Sequence, residues 1–370
     1  MQIRLATLAG VLFALAACGG DGGGGGGGGG SGGGPGSGSG ECGIRGLTDV
    51  MPEQAFPSPI IRMELDGDAI FFNVFDAIHS VPRAGGTPTK VYPPPGETAF
   101  SYPPFWIFGG DLVVGRGDEL QVLPKTGADA VAETRSLPFP YKVWLDGSVD
   151  ILLADDGHTF FAKNDPVNIL GDDPPAIDYW SYDFETDTSV TIAEDSTIGH
   201  LKRIVLAGTD LYTASRIGDA TDPDDDTADR LYRIPGGGGA PELVPMEGDY
   251  RFDLLGGDDT HLIFLGRPWP QSSDLGGIYR IAHTGGAPEK VANVFYLSSR
   301  LAVRFVNRPE RMLLWILGDL WSIPHGSGQA TRLASTRCNI FAIAMEGDDV
   351  YLAIQDDSGE RSRIARFTID

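Results

Sequence analysis

The sequence predicts an all-β protein, a seven-bladed β-propeller of four-stranded antiparallel blades, with six or eight blades as the adjacent solutions. Three observations carry that prediction. A hairpin unit, apolar run, Gly/Asp turn, apolar run, recurs seven times between Met63 and Tyr351. A second unit, one strand closed by a small turn and a short further strand, alternates with the first. The span from Ile44 to Asp370 holds 327 residues, so seven units average about 47 each, as four-stranded blades require. Composition agrees: 41% hydrophobic and 9% aromatic residues can fill a sizeable core and argue against disorder. With 28 basic against 51 acidic residues the net charge is −23, which excludes a nucleic-acid binder relying on clustered Lys and Arg.

Met1 to Cys18, MQIRLATLAGVLFALAAC, has one Arg, an apolar stretch from Leu5 to Ala17 and small residues before a cysteine, the pattern of a secretory signal peptide. The apolar run is too short to span about 30 Å of hydrocarbon, and no mature transmembrane segment is expected. Leu15-Ala16-Ala17-Cys18 resembles the lipobox of bacterial lipoproteins, which implies cleavage before Cys18 and a lipid on its sulfur. Gly19 then resembles the outer-membrane-sorted class, since Asp at that place favours inner-membrane retention. Residues 18–40 make a lipidated cysteine and a flexible tether, nearly all Gly with Asp21, Ser31, Pro35, Ser37 and Ser39 as interruptions. Its r.m.s. reach is about 26 Å. No strand precedes these glycines and no Lys-Ser/Thr follows, so they are not a phosphate loop.

From Glu41 the propeller domain runs to Asp370. The first-half copies are Met63–Phe72, Ile107–Val114, Trp144–Leu152, Val205–Tyr212, Leu254–Ile263, the degenerate Val306–Leu314 and Ala344–Tyr351. Their Asp-Gly and Gly-Asp centres tolerate the positive φ of tight hairpins. The second-half copies are Ile78–Gly86, Leu120–Gly127, Leu231–Gly239, Ile278–Gly286 and Leu320–Gly328, with fourth strands such as Lys90–Tyr92, Glu289–Ala292 and Thr331–Ala334. The third blade, Val143 to Glu194, is weakest, because Tyr179-Trp-Ser-Tyr-Asp-Phe184 replaces the basic turn. The last copy stops one strand short, and Ile44–Val50 is expected to close the ring as its outer strand, protecting an open edge. These repeats resemble TolB-like propellers, especially secreted lipoproteins whose blades end in Val-Pro-x-x-Gly-Gly-x-Pro. The resemblance implies the fold; propellers host scaffolds, receptors and hydrolases alike.

Chemistry is sparse. His283 and His325 share a turn slot with Arg83, Lys125 and Gly236, and interchangeable residues are poor catalysts. Neither they nor His79 and His261 have metal-ligand spacing, and no G-x-S-x-G elbow is present outside the Gly-rich tether. Asp155-Asp-Gly-His-Thr-Phe160 resembles part of the Asp-box of sialidase-like propellers, a structural hairpin mark. The long insertions, Lys163–Ile177, Ser215–Asp229 and Gly266–Gly277 with Trp269, all fall on the face bearing each blade's second turn, which should be acidic. Asp222, Asp224, Asp226 and Asp229 alternate as oxygen ligands of calcium do, but without the sixth-position Gly and terminal Glu. A solvated acidic loop is the default reading. Glu64 and Asp253 are candidate channel carboxylates.

Cys42 and Cys338 remain as an even pair, favouring a disulfide that locks the ring. Against it, strands starting at Ile44 and Asn339 in one blade would begin at opposite ends, about 17 Å apart. Both readings stay open on sequence grounds. The expected function is a monomeric outer-membrane lipoprotein, periplasmic or surface-facing, acting as a non-enzymatic binding or scaffold module for a protein, glycan or cation. No catalytic residue and no cofactor other than calcium is expected. The alternative is a metal-dependent hydrolase or lactonase using the central channel.

Overall fold

The structure, a computed structural model, describes residues 42–56, 58–98, 102–116, 119–127, 131, 133–136, 151–153, 159–164, 177–195, 201–216, 228–270, 276–295, 303–308, 310–335, 338–356 and 358–369. All lie in one compact unit, Gly38–Asp370. The described residues form strands and turns only. β1 (Thr48–Ala55) precedes a first group of β2 (Arg62–Asp66), β3 (Ala69–Val74), β4 (Ala77–Pro82) and β5 (Thr89–Tyr92). Next come β6 (Phe105–Phe108), β7 (Asp111–Arg116), β8 (Glu119–Pro124) and β9 (Glu133–Ser136), then β10 (Ile151–Leu153), β11 (Thr159–Asn164), β12 (Ile177–Asp183) and β13 (Thr188–Asp195). The fourth group is β14 (Leu201–Ala207), β15 (Asp210–Arg216), β16 (Asp229–Ile234) and β17 (Glu242–Val244), and the fifth β18 (Tyr250–Gly257), β19 (His261–Pro268), β20 (Gly277–Ala282) and β21 (Glu289–Ala292). The chain finishes with β22 (Val303–Asn307), β23 (Arg311–Ile316), β24 (Asp319–Pro324), β25 (Thr331–Ser335), β26 (Asn339–Glu346), β27 (Asp349–Gln355) and β28 (Arg361–Thr368).

Pairing is antiparallel and sequential within each group. The fourth and fifth groups share one sheet because β16 meets β18 at the single pair Asp229–Tyr250. Glycines in the first hairpin turns supply the positive φ foreseen there, at Gly67 (+51°), Gly109 (+52°), Gly208 (+59°) and Gly347 (+56°). Alternation then sorts the side chains onto the two faces of each sheet. Leu254, Leu262 and Phe264 pack toward Val205, Tyr212 and Leu231 of the preceding group, whereas Leu255, Ile263 and Leu265 pack toward Met312, Leu314 and Ile323 of the next. The core therefore lies between neighbouring sheets. Innermost strands touch in succession, β14 with β18, β18 with β22, β22 with β26, and β26 with β2, so the last group meets the first.

Closure corrects one expectation. The N-terminal strand does complete the last sheet, pairing β28 from Thr48–Arg366 to Ala55–Arg361, but it begins at Thr48 and not at Ile44. Cys42 and Cys338 are joined in a disulfide with Cα atoms 5.3 Å apart. The opposite-ends objection is geometrically sound, since Asn339 pairs Gln355, Gln355 pairs Ser362, and Ser362 pairs Gln54 at the far end of β1. It fails because Cys42 lies six residues ahead of the strand, and six residues can span about 20 Å, a full strand length. That segment is no loose leader. Cys42, Ile44 and Leu47 are buried against Leu313, Ala334 and Ile340.

A tie recurs at the junctions, built from the interchangeable turn slot. The slot amide donates to a first-turn carbonyl of its own blade, Arg83 to Asp68 (2.8 Å), Lys125 to Gly110 (3.1 Å), His283 to Thr260 (3.0 Å) and His325 to Glu310 (3.3 Å). Two of the four side chains reach back to bond a carboxylate on the preceding sheet, Arg83 to Glu346 and Lys125 to Asp66 at 2.5 Å, whereas the His325 Nδ1 stands 3.8 Å from Asp258 without a hydrogen bond. The following glycine amides grip the preceding outer strand, Gly86 on the Val50 carbonyl and Gly286 on that of Pro245. At Gly285, φ is +87° and a Cβ would stand 2.0 Å from the Pro245 oxygen, so only glycine fits.

Candidate functional site

The inner strands bring arginine to the channel wall, a feature the sequence reading passed over. Arg62 on β2 holds Glu64 through Nε (3.1 Å) and Nη2 (2.7 Å) on one carboxylate oxygen, and its guanidinium lies 5.3 Å from the Trp106 ring. Arg304 donates from Nε to the Phe341 carbonyl (2.7 Å), and Arg308 likewise to that of Met345 (2.8 Å). These side chains tie adjacent inner strands. Asp253 lies on β18, opposite Leu265, in a different blade from Glu64. Among the described residues no group of three or more His, Cys, Asp or Glu side chains gathers in metal-binding geometry.

On the face expected to be acidic, Asp222, Asp224 and Asp226 lie outside the described residues, as does Cys18. Asp229 is described and buried, and its Oδ2 accepts the Phe252 amide at 2.6 Å. It joins the fourth and fifth groups. Trp269 also has a visible job: the Arg251 guanidinium sits 3.7 Å and that of Arg267 5.4 Å from its ring. Those arginines are direct cross-strand partners, and the electron-rich indole face offsets their mutual repulsion.

The histidines are held by packing. His79 stacks on Phe72 with ring centroids 5.5 Å apart, and burial pushes its pKa below the usual imidazole value. Burial is also the largest influence lowering His325 and His283.

His283 occupies the junction where the carboxylate tie is missing. Ala207 stands at the end of β14, the place that Asp66 and Glu346 fill at the ends of β2 and β26. The imidazole turns to the Tyr212 ring instead, 4.9 Å between centroids, and its Nε2 makes no hydrogen bond. A cleft of about 480 Å³ opens here, lined by Asp210, Tyr212, Arg233, Glu242, Leu243, Val244, Pro245, His283 and Thr284. Arg233 spans its polar side, donating from Nε to Asp210 (2.7 Å) and from Nη1 to Glu242 (3.1 Å), and the Gly236 amide steadies Asp210 at 3.0 Å. Aligning the repeats at Ala207 is the sequence signal that could have located this cleft.

The fold defines a β-propeller, and comparison with solved structures agrees. The propeller domain of the trilobed protease from Pyrococcus furiosus matches at 11% identity over 85% of this chain and 98% of its own, with TM-score 0.55. An oligogalacturonate lyase in complex with manganese matches at 12% identity over 88% and 94%, TM-score 0.57. An acylaminoacyl peptidase from Pyrococcus horikoshii matches at 13% identity and TM-score 0.54 over 85% of this chain, which spans about half, 51%, of the peptidase. Identities this low establish the fold alone. No protein-family model matches the chain, and no curated protein matches it.

Proposed function

We propose that the chain is a TolB-like envelope lipoprotein, anchored through Cys18 and its Gly-rich tether, whose propeller is a non-enzymatic binding or scaffold module. The observation that carries this reading is how the titratable side chains are engaged. Arg83 and Lys125 tie one sheet to the preceding one, and Glu64 is ion-paired with Arg62. The Cys42–Cys338 disulfide supports an oxidising compartment, in keeping with export. A rigid ring with its reactive groups held in ties suits presentation of surfaces better than turnover.

Metal analysis of the purified chain, with melting curves in calcium and in chelator, tests the reading together with Glu64→Gln. The module reading expects no stoichiometric divalent ion that depends on Glu64. A bound ion lost in Glu64→Gln would favour a channel hydrolase or lactonase instead. A calcium-dependent rise in melting, unaffected by Glu64→Gln, would assign the ion to the acidic loop with Asp222, Asp224 and Asp226. For the anchor, Cys18→Ala should abolish incorporation of labelled palmitate and release the protein from membranes.

A further inference from the structure

We propose that the cleft between the fourth and fifth blades binds a neutral saccharide, a hexopyranose or a short oligosaccharide of uncharged sugars. The inference deepens the binding-module reading and rests on it. The cleft's volume, about 480 Å³, falls within the range of small-molecule sites, roughly 300–1,000 Å³.

Charge narrows the ligand. Arg233 is clamped between Asp210 and Glu242, so these three side chains leave one net negative charge, on a chain already at −23. A carboxylate or phosphate ligand is repelled. A cationic ligand competes with Arg233 for carboxylates that already hold it at 2.7 and 3.1 Å. A polyol meets neither obstacle. Its hydroxyls can donate to Glu242, exposed and bonded to Arg233 through Oε2 alone, and accept from the remaining guanidinium hydrogens.

Shape agrees with that chemistry. Val244 and the exposed Pro245 give an apolar patch for the C–H face of a pyranose ring, whereas Leu243, paired with Tyr232, directs its side chain to the other face of the sheet. The Tyr212 ring, 1% exposed, and the His283 Nε2 are buried behind this lining, and the exposed Thr284 adds a hydroxyl to it. Fixed planar hydrogen-bonding groups, a hydroxyl and a small apolar patch together fit an uncharged sugar.

Saturation-transfer NMR on the full chain tests this with maltose, cellobiose and diacetylchitobiose, using digalacturonate and spermidine as charged controls. Transfer to at least one neutral sugar is expected, with affinity at least about 10-fold weaker in Glu242→Gln, the loss that follows from one hydrogen bond to a charged acceptor. Thr284→Val should weaken the same sugar, and Glu64→Gln should leave it unchanged. Both cleft substitutions are at exposed positions, so melting temperature should hold and serves as the folding control. Binding by none of the neutral sugars, binding only of a charged control, or binding that survives both cleft variants overturns the inference. Any of these leaves the module reading standing, because that is decided by metal content and Glu64→Gln.

Discussion

Removing the Cys42–Cys338 bond is the sharpest perturbation of the ring. The bond closes a loop of 296 residues, nearly the whole propeller. Loop-closure entropy scales with the logarithm of that length and sets a ceiling of about 5.7 kcal/mol on its contribution at 25 °C. A domain of about 330 residues unfolds with an entropy near 0.7 kcal/mol/K, so the ceiling corresponds to a fall in Tm of about 8 °C. The observed loss should lie below it, because Ile44 and Leu47 still pack against Leu313 and Ile340 when the bond is absent. Scanning calorimetry of oxidised protein against Cys42→Ser/Cys338→Ser should show a fall of about 3–8 °C. Two observations would refute the reasoning: a double variant melting within about 1 °C of the oxidised protein, or alkylation of both thiols under non-reducing conditions.

Gly285→Ala forces a Cβ 2.0 Å from the Pro245 oxygen at φ +87° and should cost at least about 2 kcal/mol, whereas Gly347→Ala, in open space at φ +56°, should cost about 1 kcal/mol; urea melts of the pair check the contrast. A double-mutant cycle on Lys125 and Asp66, 2.5 Å apart with each side chain about 30% exposed, should give a coupling of about 0.5–1 kcal/mol that shrinks in high salt, and an unchanged coupling at 1 M salt would count against an ionic tie. His79, His283 and His325 all have pKa values lowered from 6.5, chiefly by burial, so the unfolded chain binds more protons as pH drops. Their contribution to stability is complete above pH 6.5 and is lost as pH falls through their folded values; melting across pH 7.5 to 5 should decline, and less steeply in His79→Phe. Glu346, lowered chiefly by its bond to Arg83, loses its contribution as pH falls below 4.5, and Glu346→Gln should flatten that acid limb.

Hairpins were legible in the sequence because a strand pair announces itself locally. Asp66-Gly67 and Glu346-Gly347 each sit between apolar runs, and the structure turns the chain at both. Closure by an N-terminal strand was legible from the missing partner of Arg361–Thr368, although its start was misplaced by four residues because Ile44 and Leu47 are apolar for another reason, packing between sheets. The cleft was harder to see. It depends on an absent carboxylate at Ala207 and on Arg233 reaching two acids that are close only after β15, β16 and β17 have paired. Turn-slot interchangeability pointed to a structural role, but only the fold shows that Arg83 and Lys125 act across a junction rather than within their own turns.

The position of the bonded cysteine also decides how the ring carries mechanical load. β1 is an outermost strand whose one neighbour within its sheet is β28, so tension applied directly at Thr48 would unzip that ladder one pair at a time, the weakest way to load a sheet. Cys42 precedes that strand and is covalently fixed to Cys338, at the junction leading into the innermost strand β26. A pull arriving from the Gly-rich side therefore enters the ring near its centre and bypasses the β1–β28 zipper. Reduction of this one bond would turn a clamp that must break covalently into a seam that can peel.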